Sequence, residues 1–224
     1  SKYGRYALNH ENSRQLYAEA FAMINKYFNH DIWNLTSTIG ASFDQRDYDQ
    51  DGFDGNLKGV ANLFTLSNVA TSESNTKFTQ TGYTTRKEAV YGSAQLGYKG
   101  SIYLDVTARN DWSSILNADN NSYFYYSAGL SDVVTDMFPV IKSNIMPYFK
   151  IRISYSEVGN DPNEAFLTNP TYKMSTTYPE TSTQMRNPDL KPERTKSWEG
   201  GFDFVFFNNK LKLNATLYHS RTYN

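Results

Sequence analysis

The sequence predicts an all-β fold, a segment of an antiparallel transmembrane β-barrel, and three observations carry that prediction. The first is composition: over 224 residues hydrophobic types make up 39%, yet 18 Tyr, 14 Phe and 3 Trp place much of that content in rings. With a mean hydropathy of −0.64, a polar average rich in rings suits strands with one wet face and Tyr and Trp at membrane interfaces. The second is a two-residue period sustained over unusually long runs. The third is an alternation of tight and long links between those runs.

Other classes are excluded or weakened early. Net charge is −1 and no basic block stands out, so nothing recruits nucleic acid by phosphate neutralisation. No cysteine is present, which removes a disulfide framework and a thiolate metal site. No stretch of about 18 apolar residues exists, so no spanning helix is expected and a membrane reading must rest on strands. The opening "SKYGRYALNHENSRQLY" carries neither a basic n-region nor an apolar h-region, so no secretory signal is expected within it.

In chain order, "LYAEAFAMINKYF" spaces Tyr17, Phe21, Ile24 and Phe28 as a helix would. Residues 31–46 read as a strand needing an antiparallel neighbour, so residues 13–27 are assigned to strand against that spacing. Residues 47–85 are polar and read as a long link. In "AVYGSAQLGY", Val90, Ala94, Leu96 and Tyr98 share a face opposite Tyr91, Ser93 and Gln95. Lys99 and Gly100 make a hairpin turn, and "SIYLDVTARN" follows with Ile102, Leu104, Val106 and Ala108 opposite Tyr103, Asp105, Thr107 and Arg109.

Residues 123–134 and 148–158 alternate likewise, with Phe124, Tyr126, Ala128 and Leu130, then Phe149, Ile151, Ile153 and Tyr155, against Lys150, Arg152, Ser154 and Ser156. Near the end Trp198, Phe202, Phe204 and Phe206 oppose Ser197, Glu199 and Asp203. After Asn208 and Asn209, comfortable at positive φ, Leu211, Leu213, Ala215 and Leu217 oppose Lys212, Asn214, Thr216 and Tyr218. The total is about eight strands, most of them longer than the 5 or 6 residues usual in globular proteins and close to the ~9–11 of a tilted membrane strand. Links near Asn29, Lys99 and Asn208 are tight and residues 135–146 moderate; residues 47–85, 111–122 and 159–193 are long or polar. Outer-membrane barrels sort their turns and loops in this way.

Four quoted stretches, "LGYKGSIYLDVTARNDWSSIL", "YFYYSAGLSDVVTDMF", "FKIRISYSEVGND" and "NPDLKPERTKSWEGGFDFVFFNNKLKLNATLY", resemble in that order the barrel of SusC/RagA-family TonB-dependent outer-membrane transporters of Bacteroidetes. The clear resemblance covers residues 86–222; residues 1–85 are compatible but weaker, and residues 1–224 together are read as partial barrel. The resemblance implies a barrel of about 22 strands around a plug; neither the plug nor a TonB-contacting segment is among these residues. It also implies outer-membrane localisation in a Gram-negative bacterium, import of oligosaccharide or peptide, a SusD-like surface lipoprotein as lid, and energy from TonB–ExbB–ExbD through an N-terminal part. Pro188 and Pro192 fix φ and disfavour helix before them, which brings the loop extended to the strand, with Glu193 and Arg194 expected in water at the rim.

Several constellations invite chemistry. "DYDQDGFDGNLK" matches the first half of a calcium loop, with Asp47, Asp49 and Asp51 at the alternating ligand positions and Gly52 after them, but Lys58 stands where a bidentate Glu belongs. A solvated acidic loop is the simpler account and is preferred, and Ca2+ is the one cofactor considered. His10, His30 and His219 are isolated. No nucleophile elbow, phosphate loop or metalloprotease motif occurs, so the chain is read as non-enzymatic. Asp105, Arg109, Glu199 and Asp203 alternate as lumen-facing residues would. Trp112, Tyr172 and Tyr178, taken as loop aromatics, are candidates for stacking on sugar faces, against the simpler role of interface or loop packing. Two rival readings stand beside the transporter: a self-contained eight-stranded outer-membrane barrel with an adhesive or structural role, and a soluble carbohydrate-binding β-sandwich.

Overall fold

Strand formation here is decided by pairing, and the first segment demonstrates it. In the computed structural model the run with helical spacing lies within a 24-residue strand, β1 (Arg5–Phe28), hydrogen-bonded to β2 (Trp33–Asn56). Partnered backbone overrides local spacing. Phe28 stacks on Trp33, and Trp33 meets the Tyr98 ring at a tilt. The two-residue period back from Phe28 then puts Ile24, Ala22, Ala20, Ala18 and Leu16 on that same face.

The structure describes residues 3–162, 164–168, 172–174, 179–181 and 186–223, with backbone alone at 172–174 and 179–181. After β2 come β3 (Lys77–Tyr98), β4 (Ile102–Ser113), β5 (Ser122–Val133) and β6 (Tyr148–Asn160). A small hairpin β7 (Tyr172–Met174) and β8 (Pro179–Thr181) precedes β9 (Glu193–Phe206) and β10 (Leu211–Tyr223). Eight strands form one sheet in the order β1-β2-β3-β4-β5-β6-β9-β10, while β7 and β8 pair separately. The expected eight long strands are present. The sheet does not close, because β1 and β10 each have one neighbour.

Two readings need correction. The link assigned to residues 47–85 is about half strand: β2 continues to Asn56 and β3 begins at Lys77, so the connection shrinks to residues 57–76. Its polar sequence hid the strands because cross-strand ion pairs replace apolar contacts there. The loop conformation expected for this stretch is replaced too, since Asp47, Asp49 and Asp51 lie in β2. An extended chain sets alternate carboxylates about 7 Å apart along one face instead of folding them around an ion. Asp47 is held by Arg14 at 2.7 Å and by Thr84 at 2.8 Å, and Asp51 meets His10 at 3.3 Å. Among the described residues no group of three or more His or carboxylate side chains is placed to hold a metal.

The tight links carry the backbone signature their residues suggested. Asn29, His30 and Asp31, then Lys99 and Gly100, then Phe207, Asn208 and Asn209 all have φ between 50° and 71°, the region Asn and Gly tolerate best. The link between β5 and β6 holds a four-residue helical turn, Val134–Met137; there buried Thr135 accepts a hydrogen bond from the Phe149 backbone at 3.2 Å.

The chain divides into two units. One comprises Ser1–Tyr17 and Asp44–Arg86. Its small core is Leu57, Val69 and Ala70, and buried Asn68 ties the link by donating to the Val60 and Leu63 carbonyls. The same unit carries the Arg5–Asp54 and Arg14–Asp47 pairs and rings in contact, Tyr6 on Phe53 and Phe64, and Tyr48 on Tyr83. The second unit comprises Ala18–Phe43 and Lys87–Asn224 and holds the paired strands β4, β5, β6, β9 and β10. Its even residues in β4, β5 and β9 and odd residues in β6 and β10 make one apolar face. Phe149 stacks flat on its cross-strand partner Phe204 at 4.3 Å, an aromatic pair worth about 0.5–1.5 kcal/mol beyond area burial.

Candidate functional site

The face opposite those rings is polar, and its middle is organised by one arginine. Register sets Arg152 of β6 across from Gly201 of β9, where no side chain intervenes. The guanidinium reaches Asp203 at 2.5 Å and Thr216 of β10 at 2.5 Å, with Glu199 at 3.9 Å. Asn214 donates to the same Asp203. Of the four residues expected on this face, Glu199 and Asp203 therefore belong to one network across three strands. Asp105 accepts from Gln95 of β3 at 2.7 Å, and Arg109 lies over the Tyr91 ring at 5.7 Å.

Arg109 also opens a second network, at the end of the strands where the long links emerge. It donates to Asp111 at 2.6 Å, and Tyr125 donates to the other Asp111 oxygen at 3.1 Å. Asp111 is almost fully buried. Lys87 of β3 stands 3.8 Å from Asp111 and 2.5 Å from Asp161, just beyond β6. Asp161 accepts two further bonds, from Ser113 at 2.5 Å and Tyr123 at 3.1 Å. Burial alone would raise the Asp161 pKa, but the Lys87 and Ser113 bonds and the Lys87 charge outweigh it and hold the carboxyl below its ordinary value. Every carboxylate here has donors, as buried charges require.

The cluster depends on close approach. A Cβ on Gly159 would stand 2.6 Å from the Tyr123 ring, and pairing between β5 and β6 runs only from Val133 to Ser127, which leaves room for that ring. Nearby, Glu157 is buried and accepts from Arg194 at 2.8 Å and Tyr223 at 3.0 Å. Arg194, expected in water, is thus half-buried and paired. The links lean on one another: Asn117 donates to the Pro188 carbonyl and Thr168 to that of Ile115.

Sequence reasoning missed Lys87, Asp111, Ser113, Tyr123 and Asp161 as a group, although "ARNDWSSIL" and "SEVGND" were quoted for their resemblance. One signal was available: Arg109, Asp111 and Ser113 share a face by parity, an unusual density of polar groups for one strand end. The sugar-stacking candidates fare differently. Trp112 is not in a loop; it is within β4, on the apolar face with Ile102 and Leu104, beside a groove of about 400 Å³ lined by Ala18, Ala41 and Val90. Tyr172 is described by its backbone alone, and Tyr178 lies outside the described residues.

A strand set with one ring-studded apolar face, one charged face and sorted links is the architecture of a membrane β-barrel wall. The family model described as "TonB dependent receptor-like, beta-barrel" matches residues 1–224, and the chain belongs to that family. Among solved structures, one titled "Structure of the RagAB peptide transporter" superposes with a TM-score of 0.82 at 21% identity, covering 97% of this chain and 24% of that one. The RagAB peptide importer in its "closed-closed" and "open-open" states gives TM-scores of 0.80 and 0.70 at 21% and 22% identity, over 97% and 96% of this chain. At such identities the likeness establishes the shared fold. The chain spans about a quarter of the length of the chains it matches. No curated protein matches.

Proposed function

We propose that these eight strands are part of the wall of a TonB-dependent transporter in the outer membrane of a Gram-negative bacterium. The apolar face meets lipid, and the polar face, with Asp105, Arg109, Glu199 and Asp203, lines the lumen. The observation that carries the reading is the combination of one-sided strands with turns and links sorted to opposite ends, in a family of barrel receptors. From Trp198 to Phe206 is nine residues, the length of a tilted membrane strand. β1 and β10, each with one neighbour, are edges that further strands of the barrel would cover, since a membrane sheet must close.

In the complete protein, transport is non-covalent. Cargo enters from the link side, a plug blocks the lumen, and TonB–ExbB–ExbD acts on that plug. Peptide is the cargo we favour over oligosaccharide, because the structures similar to this chain are titled as peptide transporters. A SusD-like surface lipoprotein serves as lid on the same grounds. The mid-strand network around Arg152 is a wall that receives the plug, while the loop-end cluster fixes the links against which cargo and lid press.

The test begins with the complete native protein. Its denatured mass and its behaviour without detergent come first: a mass several times 25.6 kDa and precipitation without detergent are expected. A monodisperse protein in plain buffer would overturn the membrane reading. Uptake of a peptide mixture into cells, compared with an oligosaccharide mixture, then separates the two cargoes.

A further inference from the structure

The strands on either side of one link are short for the membrane they would cross. On the outward face Trp198 contacts Tyr155 at 4.8 Å, and Tyr155 contacts Tyr126 at 5.7 Å, a row of amphipathic rings of the kind that marks headgroup level. Tyr155 stands seven residues from Tyr148, where β6 begins, and Tyr126 seven from Val133, where β5 ends. Seven residues of a strand tilted by about 40° descend about 18 Å, whereas the apolar band of an outer-membrane barrel is about 25 Å tall. About 7 Å of that band is left beyond β5 and β6, and the link that joins them, residues 134–147, lies there.

This link differs from the tight turns beside it. Phe138, Val140, Ile141 and Ile145 are all exposed, Val140 at 93%, while the charged residues of the link are Asp136 and Lys142 alone, paired with each other at 3.0 Å. Its backbone is largely self-satisfied: Phe138 donates to the Val134 carbonyl, Ile141 to Phe138, Lys142 to Pro139 and Ser143 to Met146, which leaves few peptide groups to be stranded from water. The link also continues the ring-studded face. Phe202, Phe204 and Phe206 follow one another at 5.2 and 5.5 Å, Phe206 meets exposed Phe207 at 6.2 Å, and the Phe207 N–H donates to the Ile145 carbonyl at 2.9 Å.

We propose that residues 138–145 form a foot that seats the side chains of Phe138, Val140, Ile141 and Ile145 in the periplasmic leaflet of the outer membrane. Apolar surfaces held at a lipid boundary reach about 5–10 Å into it, which matches the length the two strands lack. The occupant is lipid because the patch continues the outward rings, lies at the depth where β5 and β6 run out, and carries no net charge for a protein partner to read. The foot sets the depth of the wall at β5 and β6, where strands of this length alone would leave a hydrophobic mismatch.

The inference rests on the membrane reading, and the experiment separates the two. Spin labels are placed singly at Val140→Cys, Lys99→Cys and Leu104→Cys in the complete protein, freed of native cysteine and reconstituted in vesicles of phosphatidylethanolamine and phosphatidylglycerol. Power saturation then compares collisions with oxygen, which concentrates in lipid, against collisions with a water-soluble nickel chelate. Oxygen is expected to dominate at Val140 and at Leu104, which is exposed on the outward face of β4. Nickel is expected to dominate at Lys99 in the neighbouring tight turn, with an oxygen-to-nickel ratio several-fold below that at Val140. Nickel dominance at Val140 with oxygen dominance at Leu104 overturns the foot and leaves the membrane wall standing. Protection of Val140 from both collision partners overturns it as well, because protein would then cover the link. Nickel dominance at Leu104 overturns the membrane reading and the foot with it. Should the Val140 variant fail to fold, Ile145→Cys, at a position 63% exposed, is read in its place with the same outcomes.

Discussion

The loop end and the middle of the strands in the larger unit use the same residue types to opposite effect. At the loop end Lys87, Arg109, Asp111 and Asp161 are locked together by Ser113, Tyr123 and Tyr125, and Asp111 is 2% exposed. In mid-strand Arg152, Glu199 and Asp203 form pairs of similar length with a quarter to a half of each side chain open. The difference teaches that burial, more than bond count, separates a structural ion cluster from a polar surface ready for another molecule. Breaking a buried pair strands a charge, whereas water screens the loss of an open one.

The largest effect is expected from Asp111→Ala, which strips Arg109, Lys87 and Tyr125 of their shared acceptor. A stability loss of about 3–5 kcal/mol is expected in thermal unfolding of the detergent-solubilised complete protein, and a loss below that of Arg152→Ala would erase the contrast between the regions. Gly159→Ala comes next, because the Tyr123 ring that its Cβ would strike is buried and hydrogen-bonded to Asp161. A cost of about 1–3 kcal/mol should be measurable by the same unfolding assay.

Acid sharpens the comparison from another side. The Asp161 pKa is depressed in the folded protein, so its contribution is fully present above the unfolded carboxylate value of about 4 and is lost as pH falls through the lower folded value. Protease cleavage of the links should rise over that acidic window. Asp161→Asn should flatten the rise; an unchanged profile would show that the carboxylate is not responsible. The smallest effect belongs to Arg152→Ala, at about 1 kcal/mol or less, with a double-mutant cycle against Asp203→Ala expected to return a coupling of similar size. A coupling well above that would mean the mid-strand network is as structural as the loop end.

Much of this was legible in the sequence. Alternation in "SIYLDVTARN" and "GGFDFVFF" placed strands and faces because a half-wet strand must repeat every two residues, and Asn and Gly located the turns through their ease at positive φ. The strand in residues 13–27 was harder, since alanine outlines an apolar face only faintly and Tyr17, Phe21, Ile24 and Phe28 imitate a helix. The far end of β2 was missed because Asp47, Asp51 and Asp54 are partnered by Arg14, His10 and Arg5 on another strand.

By itself, then, the sequence determined the periods, the turns, the exclusion of nucleic-acid and thiolate chemistry, and the family resemblance, since all of these are local properties of the chain. Only the tertiary structure decided that Lys87, Asp111 and Asp161, up to 74 residues apart, share one cluster, and that Arg194 is paired. Those facts depend on register and on the strand order that brings β9 beside β6, and no local pattern encodes which distant residue a strand will place opposite its own.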